Sequence, residues 1–178
     1  MGNKFKKLKL DELNRMSPDE FKNQPKIALT VVLDNIRSLH NIGSIFRTSD
    51  AFRVHEIILS GITAQPPHRE IHKTALGATE TVNWSYYKYP EEVIEKLYKE
   101  GIKIYPVEQT ENSTDLLNNS KPDSPIALIF GNEVDGVSEE YMKAAELVIE
   151  IPQEGTKHSL NVSISAGIVI WEMFKLLK

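Results

Sequence analysis

Three short segments of this 178-residue chain hold side chains whose types and spacing suit chemistry. The first is Asn41-Ile42-Gly43-Ser44-Ile45-Phe46-Arg47. Read as a helix, it sets His40, Gly43, Ser44 and Arg47 on the face opposite Ile45 and Phe52, where a guanidinium can clamp a phosphate through paired hydrogen bonds. The plainer alternative is a surface Arg47–Asp50 pair three residues apart, a common and weak contact. The next segment runs from Gly131 to Gly136, where glycines permit a tight turn against a ligand. Glu133 lies between them at the end of an apolar strand, a costly place for an unpaired carboxylate; in solvent it would belong to an ordinary strand–turn–helix joint. The third pairs Ser159 with Asn161. Here Ser159 reads as the N-cap of a C-terminal helix, whose positive dipole end would face a ligand. An ordinary cap on a buried helix is the alternative.

The elements that must position these segments follow from the apolar pattern. Ile27 to Leu33 is a near-continuous apolar run of strand length, as in a buried parallel strand. Asn41 is placed as the cap of a helix reaching about Val54, with Ile42, Ile45, Phe46, Ser49 and Phe52 on its core stripe. Glu56–Ser60, Thr81–Tyr87, Ile102–Val107, Ile126–Phe130 and Leu147–Ile151 read as further strands. His68–Ala75, Pro90–Glu100 and Ser138–Ala145 read as helices, and Ser17-Pro18-Asp19-Glu20 starts a short one. Residues 108–125 form a long polar connection, a length that often marks function. In the last helix Leu160, Ile164, Ile168 and Trp171 form one apolar row, and Val162, Val169, Met173 and Leu176 another. Such a helix is expected to be buried on more than one face, against the sheet and a second subunit. Alternating strands and helices specify an α/β domain with a mostly parallel sheet flanked by helices. In such sheets ligands bind beyond the carboxyl ends of the strands, where all three segments fall.

Composition narrows the function. With 40% hydrophobic and 26% charged residues the chain is ordinary for a globular domain. It has no cysteine, hence no disulfides or thiolate metal site, which fits a cytoplasmic protein. No signal-peptide core or membrane-length apolar run is seen. The net charge of −4 hides an asymmetry: residues 1–26 carry seven Lys/Arg against four Asp/Glu, leaving −7 for residues 27–178. Residues 1–26 are therefore read as a basic, partly helical N-terminal extension. Arg37, Arg53, Arg69 and Lys73 could add a local basic surface, though a solvated charged face would have the same composition. The nucleotide fingerprint GxGxxG, the P-loop and HExxH are all missing, and His68 with His72 lacks a third ligand, so no metal is expected.

Taken in order, the three segments resemble the SpoU (TrmH-type) RNA ribose 2′-O-methyltransferases of the SPOUT superfamily. Asn41-Ile-Gly-Ser-Ile-Phe-Arg47-Thr-Ser-Asp-Ala-Phe is similar to the first motif of that family. Ile129-Phe-Gly131-Asn-Glu133-Val-Asp-Gly136-Val-Ser resembles its middle motif. Ile151-Pro152, followed by Ser159-Leu-Asn161-Val-Ser-Ile-Ser-Ala-Gly, resembles its last. The likeness covers residues 27–178, read as one SPOUT methyltransferase domain. Phe52-Arg53-Val54 stands where the family commonly has a glycine, and Val137 where it has Leu or Ile.

The resemblance implies a C-terminal trefoil knot, which rules of chain connection would have excluded. It implies a homodimer, an RNA substrate, and S-adenosylmethionine as methyl donor with S-adenosylhomocysteine as product. Val107, Glu108 and Gln109, then Phe130, Gly131, Asn132 and Gly136, then Ile151, Pro152, Ser159, Leu160 and Asn161 would line the cofactor pocket. Arg47 would be the catalytic arginine. An arginine keeps its proton and is a poor base, so it is expected to anchor phosphate and hydroxyl while Asn41, Glu133, Ser159 and Asn161 position the reacting groups. Arg37, Arg53, Arg69 and Lys73 are expected to touch RNA. The absence of an appended RNA-binding domain leans the expectation towards tRNA over rRNA. A catalytically silent RNA binder and an unrelated α/β nucleotide-binding enzyme remain the alternatives.

Overall fold

The computed structural model describes residues 5–9 and 11–178. Within the extension, residues 1–4 and 10 lie outside the described residues, and the rest is irregular apart from one 3-10 turn at Asp11–Leu13 and helix α1, Pro18–Asn23. Ser17 caps α1 as expected, its hydroxyl and the Glu20 carboxylate each taking the other's backbone N–H.

Strand β1, Ile27–Asp34, is buried at seven of eight positions. It pairs in parallel with β2, Val54–Ser60, on one side and with β6, Ile126–Phe130, on the other. β3, Asn83–Tyr87, and β4, Lys103–Pro106, form the edges, giving the order β3-β2-β1-β6-β4 with every pairing parallel. Side chains of β1 alternate between two cores. Leu29, Val31 and Leu33 pack with helices α2 (Leu39–Ala51), α3 (Arg69–Ala75), α4 (Ala78–Thr81) and α7 (Val162–Leu177). Val32 faces the opposite layer, where α5, Pro90–Lys99, supplies Val93 and Leu97, and α6, Glu139–Lys143, supplies Tyr141. Burial on both faces is the reason these strands read as continuous apolar runs.

Three expectations are corrected. Leu147–Ile151 is not a sixth strand of the main sheet. Only Ile149–Glu150 is extended, as β7, and it pairs with β5, Thr114–Asp115, from the long connection. The backbone there bonds to the two-residue β5 and to Val107 and Glu108 just past β4, partners no periodicity could show. The helix credited to Asn41 starts earlier, with Ser38 as its N-cap, and stops at Ala51. The last helix is capped by Asn161, not Ser159: Asn161 Oδ1 accepts from the Ser163 backbone and hydroxyl at 2.9 and 2.6 Å. Both were ambiguous in sequence because Ser and Asn cap about equally well.

Candidate functional site

β1, β6 and β4 are neighbours, and the carboxyl ends of β6 and β4 open into one cleft. The turn after β6 forms its wall. Gly131 and Gly136 stand back to back, and Asn132 and Gly136 exchange two backbone hydrogen bonds of 3.1 Å. A Cβ on Gly131 would drive into the backbone of Gly136 and Val137, and Gly136 has φ +73°, so the turn demands glycine at both places. The Asn132 side chain closes the loop by accepting from the Val134 and Asp135 N–H groups at 2.7 and 2.9 Å.

The same turn is anchored from below. Asp34, buried at the end of β1, accepts the Ser138 N–H at 2.7 Å and the Asn35 amide at 2.8 Å. Burial pushes its carboxyl above the usual range, against the pull of those hydrogen bonds. Beside it Tyr141, fully buried, donates to Ser60 at 2.9 Å, and burial raises its phenol too. On the other side Glu108 accepts from the Gln109 and Val137 N–H groups at 3.0 and 3.2 Å. The expected cofactor residues of this loop therefore also brace it. Val107 bridges to Ile149, and the Glu108 N–H donates to the Ile149 carbonyl at 3.0 Å, which brings the strand before Ile151 to the cleft.

The cleft holds about 440 Å³, within the range of small-molecule sites. Val107, Glu108, Gln109, Phe130, Gly131, Asn132 and Gly136 line it, as do Ile151, Ser159, Leu160 and Asn161. Of the expected cofactor residues only Pro152 does not; it is exposed beside the rim. Val134, Gln153, His158, Val162 and Ser165 also line the cleft and were not among the expected cofactor residues. Val134, Val162 and Ser165 stand inside the quoted motifs and Gln153 and His158 between Pro152 and Ser159, so proximity was the only signal for them.

At the mouth the three motifs meet. Asn41 Nδ2 donates to Glu133 Oε1 at 3.0 Å, and Asn161 Nδ2 donates to Asn41 Oδ1 at 3.2 Å. Glu133 is exposed and amide-paired, so the cost of a buried lone carboxylate does not arise. Gly43 is not on an open ligand face: it is buried where α2 crosses α3, against Thr74 and the Ile71 carbonyl. Arg47 is exposed and lies outside the cleft of its own chain, and its guanidinium has no hydrogen bond or ion pair among the described residues; the Arg47–Asp50 pair does not form. Asp50 instead accepts from the Thr81 hydroxyl.

The four basic residues expected to touch RNA are not gathered together. Arg37 stands near the mouth, 3.9 Å from Asp135. Arg69 and Lys73 share a groove on α3. Arg53 lies at the opposite end of the sheet, where its carbonyl accepts from the N–H of Ile27 at the start of β1.

The chemistry of the cleft lining is informative. Among the described residues it presents the carboxylates Glu108 and Glu133 and no Lys or Arg. A phosphate-bearing nucleotide would meet no cation there, whereas a ligand carrying a positive centre would be favoured. The apolar side chains Val107, Phe130, Ile151, Leu160 and Val162 suit a planar ring. The residues present therefore fit S-adenosylmethionine, a nucleoside with a sulfonium.

A parallel α/β sheet with a ligand cleft built from a glycine turn and a C-terminal helix cap defines the class. The chain belongs to the SpoU rRNA Methylase family, whose profile matches residues 28–171. The 23S rRNA (guanosine-2′-O-)-methyltransferase RlmB of Nitrosomonas europaea is 33% identical over 148 residues, covering 83% of this chain and 56% of that protein. An AdoMet-bound rRNA methyltransferase from Sinorhizobium meliloti superposes with a TM-score of 0.78 at 28% identity, covering 92% of this chain and 62% of that one. The A. aeolicus TrmH/SpoU tRNA modifying enzyme gives a TM-score of 0.78 at 26% identity, covering 89% and 79%. The chain thus spans little more than half the length of the RlmB relative it matches.

Proposed function

We propose that this chain is an S-adenosylmethionine-dependent RNA ribose 2′-O-methyltransferase, acting as a homodimer in the cytoplasm. The observation that carries the reading is the hydrogen-bonded row Glu133–Asn41–Asn161, which ties the three motifs together at the mouth of a cleft lined by carboxylates. When bound, the cofactor would supply a methyl group on a sulfonium. The chain's own work is to orient the ribose hydroxyl in line with it and ease away its proton. Asn41 and Asn161 fix the mouth, and Glu108 and the glycine turn hold the cleft wall. Ser159, exposed at the rim, is free to bond a substrate hydroxyl. The Arg47 guanidinium, without a protein partner among the described residues, is available to clamp an RNA phosphate, while a phosphate oxygen or water takes the proton.

The lean towards tRNA gains no support, and rRNA becomes the first candidate. The RlmB relative is named for 23S rRNA and the S. meliloti enzyme for rRNA. The A. aeolicus relative is named for tRNA, which keeps tRNA as a test arm. Two finer features belong to this reading. The dimer is supported by the row Leu160, Ile164, Ile168 and Trp171, which is 38%, 55%, 39% and 48% exposed although apolar. The trefoil knot is supported by the insertion of β6 between β1 and β4, followed by the return of the chain past Val107 to pack α7 on α2 and β1.

The test is transfer of labelled methyl from S-adenosylmethionine to unmodified rRNA and tRNA fractions, digested to nucleosides. A labelled 2′-O-methylnucleoside that disappears with Arg47→Ala is expected. Label on a base, or none despite cofactor binding, would overturn the reading, the latter favouring a silent RNA binder.

A further inference from the structure

A separate groove, of about 630 Å³, lies between α3, α4 and the edge strand β3. Its apolar surfaces come from Pro66, Pro67 and the half-buried indole of Trp84, and its cationic and imidazole groups from Arg69, His72 and Lys73. Glu80 is the only carboxylate among its described lining residues. The cofactor cleft has the opposite character, with two carboxylates and neither Lys nor Arg among its described lining residues. Among the described lining residues two cations face one carboxylate, on a domain of net charge −7, so a phosphate meets a guanidinium here that the cofactor cleft lacks.

The cations are not equivalent. Lys73 is held by Glu70 at 2.7 Å, and Glu70 is also bonded by His40 at 3.1 Å. Arg69 is exposed and has no polar partner among the described residues. A flat aromatic face next to an unpaired guanidinium is the combination that holds an unpaired nucleotide, with the base stacked and the phosphate clamped. The groove is also fixed relative to the methyl-transfer site. α3 packs on α2 through Gly43, and the Thr74 hydroxyl donates to the His40 carbonyl at 3.1 Å, one residue before Asn41.

We propose that the Trp84 groove is a second RNA subsite, which takes an unpaired nucleotide of the substrate strand by stacking its base on Trp84 and binding its phosphate through Arg69. This rests on the reading of the chain as an RNA methyltransferase and assigns where its substrate continues beyond the target ribose.

The test uses a twelve-nucleotide oligoadenylate and a Trp171→Phe protein, which leaves Trp84 as the only tryptophan. Oligoadenylate is expected to quench the Trp84 emission, and a twelve-base-pair RNA duplex to leave it unchanged. Loss of one base stack predicts that Trp84→Leu weakens oligoadenylate binding about 5- to 100-fold. Arg69→Gln should weaken it and lower the log–log salt slope by roughly 0.7. S-adenosylmethionine affinity should not change in either variant. Absence of quenching overturns the proposal, as does equal quenching by the duplex. So does oligoadenylate affinity at the wild-type level in a Trp84→Leu protein of unaltered melting temperature. Quenching without methyl transfer to any RNA would support the subsite while overturning the proposed activity, so the two failures are separable.

Discussion

Replacing Asn41 by Asp tests the link on which the site assignment depends. The Asn41 amide donates to Glu133 at 3.0 Å and accepts from Asn161 at 3.2 Å, so it needs a donor and an acceptor on one short side chain. Aspartate keeps the acceptor, loses the donor, and puts a second negative charge beside Glu133. At a charge separation of about 4 Å the repulsion is about 1 kcal/mol in water and about 4 kcal/mol at an effective dielectric of 20. The mouth is exposed, so the lower end applies, and the lost charge-assisted hydrogen bond adds about 1.5 kcal/mol. A total of about 2–3 kcal/mol corresponds to a roughly 30- to 150-fold loss of kcat/KM for methyl transfer. Asn41→Ala, which adds no charge but loses both hydrogen bonds, should lose about 10- to 30-fold. The decisive protein is the double variant Asn41→Asp/Glu133→Gln. There the amide at 133 can donate to the carboxylate at 41, reversing the bond without repulsion. It should be more active than the product of the two single losses predicts, a coupling of at least about 1 kcal/mol. Single-variant activity within twofold of wild type, or strict additivity in the double variant, would refute the argument that this row positions the site.

Three other perturbations probe the same geometry. Gly131→Ala should abolish S-adenosylmethionine binding in calorimetry, because its methyl collides with the backbone of Gly136 and Val137; Gly155→Ala, with nothing within 4 Å, should bind as wild type. Asp34 has its carboxyl raised by burial, so the folded state holds this proton to higher pH than the unfolded chain does. Its contribution to stability is present below the unfolded value of about 4 and is lost as pH rises through the folded one. Asp34→Asn should flatten that part of the stability curve in urea titrations carried upward in pH from about 4, while losing about 1–3 kcal/mol because one amide oxygen cannot accept from both Ser138 and Asn35. Ile164→Asp/Ile168→Asp, on the exposed row of α7, should yield a monomer by sedimentation with its melting temperature little changed; a dimer surviving the double change would move the interface elsewhere.

What the sequence determined by itself is the set of elements and the ingredients of the site. Strands such as Ile27–Leu33 and Ile126–Phe130 are buried on both faces, and that burial writes continuous apolar runs that can be read directly. The helix Pro90–Lys99 declares itself through a proline at its start, a single apolar face, and Gly101 just past its end. The glycines of 131–136 announced a tight turn, and the structure added that Gly131 leaves no room for a side chain. The tertiary structure alone decided which side chains meet. Asn41, Glu133 and Asn161 are up to 120 residues apart, and their contact depends on β6 lying beside β1 while α7 returns over α2. It also decided that Ser38 and Asn161 do the capping, that β7 pairs with the long connection, and that Arg53 sits far from Arg37. Local propensity favours Ser and Asn about equally at a cap, and no local rule records which distant backbone group will be there to bond.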